Sequence, residues 1–166
     1  VELDRSYSEQ NLKYDIAQVR ALRAFAYFYM VRIWGDVPLV TYSYDNGTFP
    51  SMPRTDAQTV LSYAKAELLT AIKDLPYQYG TQTNLYYGSY GAQWQGKLFN
   101  KLSAYSVLAH ICAWQGNYAE AETYSAFIID HASEINAKYT SIADLTSETG
   151  LFYSNASVKG SRILGF

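Results

Sequence analysis

The chain predicts an all-α fold of antiparallel helix pairs joined by long loops, and three observations carry that prediction. Apolar residues recur at helical spacing in four separate stretches. The stretches are bounded by residues that start or stop helices, among them Gly35 and Pro38, Thr55 and Pro76, and Gly116 and Asn117. Leu102 to Ile129 reads as helix, tight turn and returning helix, which is how a packed antiparallel pair is written in sequence. The expectation is one helical domain over residues 1–166, with helices at about 8–34, 57–75, 98–115 and 118–133 and an irregular tail at 136–166.

The first helix opens where Ser6-Tyr7-Ser8-Glu9 has capping-box spacing, a hydroxyl and a glutamate satisfying free backbone amides. Residues 21–40 read ALRAFAYFYMVRIWGDVPLV, and between Ala21 and Trp34 the only charges are Arg23 and Arg32. A helix apolar on nearly every side is expected to pack between other helices. Arg20, Arg23 and Arg32 interrupt it too often for a membrane span. Gly35 can take the left-handed conformation that ends helices, and Pro38 cannot continue one. Three prolines and the run TYSYDNGTFPSMP then mark a long surface loop up to Thr55.

Thr55-Asp56-Ala57-Gln58 repeats the capping-box spacing and opens the second helix, whose packing set is Val60, Leu61, Ala64, Leu68, Ala71, Ile72 and Leu75. Pro76 ends it. Tyr77 to Gly96 holds five tyrosines, one tryptophan and four glycines with no charge and no period, and is expected to be a loop. The third helix packs through Leu102, Tyr105, Leu108, Ala109, Ile111 and Cys112, and Asn117-Tyr118-Ala119-Glu120 caps the fourth. Small Ala104 and Ala109, the Gly116-Asn117-Tyr118 turn and Ala121 match the spacing of a tetratricopeptide unit. Such stacks are open-ended, so each pair leaves an apolar face that a neighbour must cover. After Asn136 the chain is polar and irregular, with Ser161 to Phe166 as a possible short strand.

Composition excludes some functions. A net charge of −2, a pI near 5.6 and 13 Lys+Arg argue against a basic nucleic-acid-binding face. The lone Cys112 excludes an internal disulfide framework and lies in an apolar run, as a buried structural thiol does. The start, VELDRSYSEQ, is not a signal peptide. Seventeen tyrosines and 16% aromatic residues suit cores, interfaces and sugar-binding surfaces alike.

Arg20, Arg23, Ala24, Tyr27, Phe28 and Tyr29, followed by Trp34-Gly35-Asp36-Val37-Pro38-Leu39-Val40, resemble the signature of the SusD/RagB family, surface nutrient-binding lipoproteins of the Bacteroidetes outer membrane. Val60 to Pro76 is similar to a second family segment, and GKLFNKLSAYSVLAHICAWQGNYAEA (Gly96 to Ala121) to a third. This sequence departs from the family pattern at Lys97 and His110, where arginine is usual, and by one extra residue before Lys101. The resemblance implies a right-handed tetratricopeptide-like stack in a protein roughly three times longer, of which this chain is a fragment. It further implies a non-catalytic glycan binder that partners a SusC-like TonB-dependent outer-membrane transporter, with a lipid anchor on an upstream cysteine absent from this sequence. No cofactor or metal is implied.

The residues by themselves offer little catalysis. His110 beside Ile111 and Cys112 reads as a hydrogen-bonded histidine on a packing face. His131 with Asp130 and Glu134 reads as a solvated helix end rather than a metal site. Glu120 and Glu122, two apart on a helix, point to different sides and do not make a glycosidase pair. Arg20 and Arg23 share a helix face and are expected to pair with acids of a neighbouring helix or stack on Tyr27. Asp36 is expected to accept from nearby backbone amides. Asn46-Gly47-Thr48 and Asn155-Ala156-Ser157 match the glycosylation pattern and, in a bacterium, are chance.

The tyrosine-rich loop is the functional candidate. Sugars present C–H faces that stack on aromatic rings and hydroxyls that need polar partners. Tyr86, Tyr87, Tyr90 and Trp94, interleaved with Asn84, Ser89, Gln93 and Gln95, supply both, and an uncharged loop suits a neutral ligand. Tyr42, Tyr44 and Phe49 form a smaller second cluster. The function that the family resemblance implies, with this loop as the candidate contact, is glycan binding; the alternative is a tetratricopeptide-like protein-interaction scaffold whose tyrosines are interface residues, with an enzyme third.

Overall fold

The computed structural model describes residues 8–43, 47, 50–81, 83–87 and 96–137. Their four helices are α1 (Glu9–Trp34), α2 (Ala57–Asp74), α3 (Lys101–Trp114) and α4 (Tyr118–Asp130), with a 3-10 turn at Ala132–Ile135. Each helix packs on the next in sequence, and the pairings run antiparallel. Tyr27 meets Tyr63 while Arg20 and Arg23 meet Glu67. Gln115 bonds Gln58 at one end of the α2–α3 contact, and the Lys101 amide bonds the Pro76 carbonyl at the other. Tyr105 lies against Tyr124 and Phe127. The described helices make the fold all-α, and an isolated antiparallel bridge between Val37 and Thr55 closes the base of the first loop.

The caps explain where the helices begin. Ser8, not Ser6, caps α1, its hydroxyl accepting from the Asn11 amide at 3.1 Å. Asp56 rather than Thr55 caps α2, accepting from the Thr59 amide. In both cases the cap lies after the expected residue, because a side chain bonds the amide three residues on only from the last non-helical position. Asn100 and Ser103 form a capping box that starts α3 at Lys101, three residues after Leu98. Asn117 caps α4 as its spacing predicts. The turn before it is a Schellman motif: the Asn117 amide bonds the Cys112 carbonyl, the Gly116 amide bonds that of Ala113, and Gly116 has φ +79°. Gly35 also takes a positive φ, +67°, but its ψ of −119° is not the left-handed helical value expected.

The core lies between α1, α2 and α3. All seven residues of the α2 packing set are buried, as are Leu102, Leu108, Ile111 and Cys112 of α3; Tyr105 and Ala109 are partly covered. Ala17, Ala21 and Ala24 let α1 approach closely, and Phe28 and Val31 complete its inner face. Each buried Leu or Ile contributes about 1.5–3 kcal/mol. Leu12, Ile16, Val19, Leu22, Tyr29 and Ile33, on the opposite side of α1, are all exposed. No residue of α4 is buried. These are the uncovered faces that an open-ended stack leaves. No helix among the described residues is long and apolar enough to cross a membrane.

Candidate functional site

The connection from α2 to α3 folds back onto the first turns of α1. Asn11, Tyr14, Asp15 and Gln18 recur at spacings of three and four, so they share one side of that helix. Tyr14 donates its hydroxyl to Asn84 Oδ1 at 2.9 Å. The Gln18 amide grips Phe99 at both backbone atoms, donating to its carbonyl at 2.6 Å and accepting from its amide at 3.0 Å. The Tyr79 hydroxyl donates to the same carbonyl. Tyr86 and Tyr87 both donate to Asp15, one to each carboxylate oxygen. The Tyr87 amide bonds Asn11 Oδ1 at 3.3 Å.

Beneath these bonds lies a second small core of Tyr14, Tyr79 and Tyr86 with Leu98 against it. The Tyr14–Tyr79 and Tyr79–Tyr86 ring centroids are 5.3 Å apart, and Tyr87 stands edge-on to Tyr86 at 4.6 Å. Such tilted pairs add about 0.5–1.5 kcal/mol each beyond their burial. Burial pushes the Tyr79 hydroxyl well above the ordinary phenol range and that of Tyr14 upward, so both stay neutral donors. Tyr87 takes φ +50°, a left-handed conformation that a bulky side chain seldom adopts.

Of the four ring residues proposed from sequence, Tyr86 is 7% and Tyr87 44% exposed. Tyr90 and Trp94 lie outside the described residues, as do Tyr44 and Phe49; Tyr42 is exposed. Sequence reasoning singled out none of Asn11, Tyr14, Asp15 and Gln18. The signal was present: three polar residues, Asn11, Asp15 and Gln18, at helical spacing beside an apolar face.

The other candidates resolve into structure. Arg20 and Arg23 both donate to Glu67 of α2, and Arg23 stacks over Tyr63 rather than Tyr27. Asp36 accepts from the Ala57 amide, a backbone group as expected but the first of α2 rather than one in its own turn. Glu120 bonds Lys65 and Tyr124, and the Lys65 ammonium holds its carboxyl below the usual range; Glu122 is exposed. His110 is exposed beside Phe28 instead of packed inward, because its position turns it past the buried side of α3 that Val107 and Ile111 occupy. His131 ends α4, its ring bonded to the Phe127 carbonyl and stacked between Phe127 and Tyr77. Cys112 is buried, which raises its thiol.

Antiparallel helix pairs that pin an aromatic connection against one helix define a helical-repeat scaffold presenting a loop. The chain belongs to the SusD superfamily. It is 99% identical to a SusD superfamily protein of known structure from Bacteroides thetaiotaomicron, with a TM-score of 0.89 over 99% of this chain and 36% of that one. It is 25% identical to surface glycan-binding protein A from Bacteroides uniformis, with a TM-score of 0.67 over 85% of this chain and 29% of that one. A SusD-like carbohydrate-binding protein from Bacteroides fragilis shares the fold at 21% identity, with a TM-score of 0.66 over 84% of this chain and 25% of that one. The chain thus spans between a quarter and a little over a third of the length of these relatives. No protein-family model and no curated protein matches it.

Proposed function

We propose that this chain is the helical part of a non-catalytic glycan-binding protein in an outer-membrane nutrient-uptake complex. The observation that carries the reading is the 99% identity to a SusD superfamily protein, supported by structural neighbours described as glycan- or carbohydrate-binding. The full-length protein would be lipid-anchored at the surface of the outer membrane and pass oligosaccharide to a SusC-like TonB-dependent transporter. The tyrosine-rich loop would contact the sugar, with Tyr87, Tyr90 and Trp94 offering rings and the buried Tyr86 bracing Tyr87 from below. Binding would combine stacking and hydrogen bonds, with no bond broken.

The test is a binding screen of the full-length protein against neutral plant and host glycans, repeated with Tyr86, Tyr87, Tyr90 and Trp94 changed to Ala. A glycan bound by the parent and lost by the folded variant places the site on the loop. Equal binding by both removes the loop from the site. The exposed apolar stripe on α1, Leu12 to Ile33, favours a second reading as a protein-interaction scaffold. That reading moves forward if no glycan binds.

A further inference from the structure

We infer that Asp15 is a positioning residue that sets Tyr86 and Tyr87, at the start of the tyrosine-rich loop, for a ligand, an inference that rests on the glycan reading above. Neighbouring residues of an extended chain point to opposite sides. Tyr86 and Tyr87 are neighbours, yet both hydroxyls reach one carboxylate. The φ of +50° at Tyr87 makes this possible by turning the chain between them. The Asn11 side chain, one turn before Asp15, holds the Tyr87 amide in that conformation. The chain is therefore fixed through backbone and side chain at Tyr87 and fixed again at Phe99 by Gln18. Both anchors stand on α1, one turn apart, so a single helix fixes Tyr87 and Phe99 relative to each other.

Asp15 is suited to this as no neutral residue would be. Hydroxyl donors to a carboxylate make charge-assisted bonds, roughly twice as strong as neutral ones. A carboxylate accepts at both oxygens, whereas an asparagine in its place would accept from one hydroxyl and force the other to become an acceptor in a neutral bond. The residue is half-buried and lies away from Ala17, Ala21 and Ala24, which join α1 to the main core. Its loss should release the loop and leave the helices packed.

The experiment uses the full-length protein with laminarihexaose, maltohexaose and mannan oligosaccharides as probes. Asp15→Asn, Asp15→Glu and Tyr87→Phe are compared with the parent by calorimetric titration, thermal unfolding and hydrogen exchange of amides 83–99. Asp15→Asn is expected to weaken binding about tenfold at a nearly unchanged Tm. Asp15→Glu, which keeps the carboxylate, should recover part of that loss. Adding Tyr87→Phe to Asp15→Asn should weaken binding by less than the sum of the two single effects, since both act on the Tyr87–Asp15 bond. Unchanged affinity in Asp15→Asn overturns the inference. A parent that binds none of the probes refutes the glycan reading instead; exchange then decides the anchoring, faster in Asp15→Asn if Asp15 fixes the loop and unchanged if it does not. Should Asp15→Asn fail to fold, hydrogen exchange of amides 83–87 and 96–99 in Tyr87→Phe gives the answer, faster exchange supporting the role and unchanged exchange overturning it.

Discussion

Replacing Glu67 by alanine should destabilise the chain by about 1.5–3 kcal/mol. Glu67 is 8% exposed and is the shared partner of two guanidinium groups on α1. A hydrogen bond to a charged group contributes about 1.5–3 kcal/mol, so two set an upper bound of about 3–6. The arginine side chains keep 36% and 34% exposure, which lets water replace part of what is lost and reduces the figure by about half. Arg23 Nε is already buried without a hydrogen-bond partner, so Arg23 is the group that water serves least. Arg20→Ala leaves the Arg23–Glu67 bond intact and should cost only about 1 kcal/mol. Urea unfolding followed by far-ultraviolet circular dichroism measures both, and the double variant should be clearly non-additive. A Glu67→Ala effect below about 0.5 kcal/mol, the range of ordinary surface changes, would refute the idea that this carboxylate ties α1 to α2.

Alkaline pH should unfold the chain through Tyr79. Its folded-state hydroxyl lies above the ordinary value of 10.0, so above that pH the unfolded chain binds fewer protons and stability falls as pH rises, while below it the contribution is intact. Tyr79→Phe should move the onset of alkaline unfolding upward, and a pH titration with no such shift counts against the assignment. Asp36→Ala, which strips the acceptor from the first amide of α2, should lower stability by about 0.5–1 kcal/mol, readable as a urea midpoint shift that Asp36→Asn largely avoids. Cys112 should react with a disulfide reagent only as fast as the helices open, since it is buried and its thiol is raised; prompt labelling of the native protein contradicts that burial.

The helices were legible because their signals are local and repeated. The seven apolar positions of α2 keep a period of 3.6 and all seven are buried. Cap assignments at α1 and α2 slipped because serine or threonine stood close to a better placed Ser8 or Asp56, and spacing alone cannot rank them. Arg20 and Arg23 were legible in kind, since two arginines on an apolar helix need an acid, but Glu67 lies 47 residues from Arg20 and no local pattern points to it. His110 was misread because α3 is apolar on most of its circumference, so sequence does not show which narrow sector faces out. The candidate site was visible in sequence only as an aromatic, uncharged stretch, and its attachment to α1 was illegible, because Asp15 is 71 residues from Tyr86. Non-local polar pairs leave no period to find.

The arrangement of α1 explains why an aperiodic loop can still have a defined conformation at its ends. One side of the helix, Ala17, Ala21, Ala24 and Phe28, is committed to the core. A second, Asn11, Tyr14, Asp15 and Gln18, holds the loop stems. Gln18 and Ala17 are adjacent, so the loop anchors inherit the rigidity of the packed helix rather than of the loop itself. Close packing transmits small displacements instead of absorbing them. A change in how α1 seats on α2 therefore moves Asp15 and Gln18 together, and with them both ends of the loop. The scaffold and the candidate site are in this sense one mechanical unit, with α1 as the shared element.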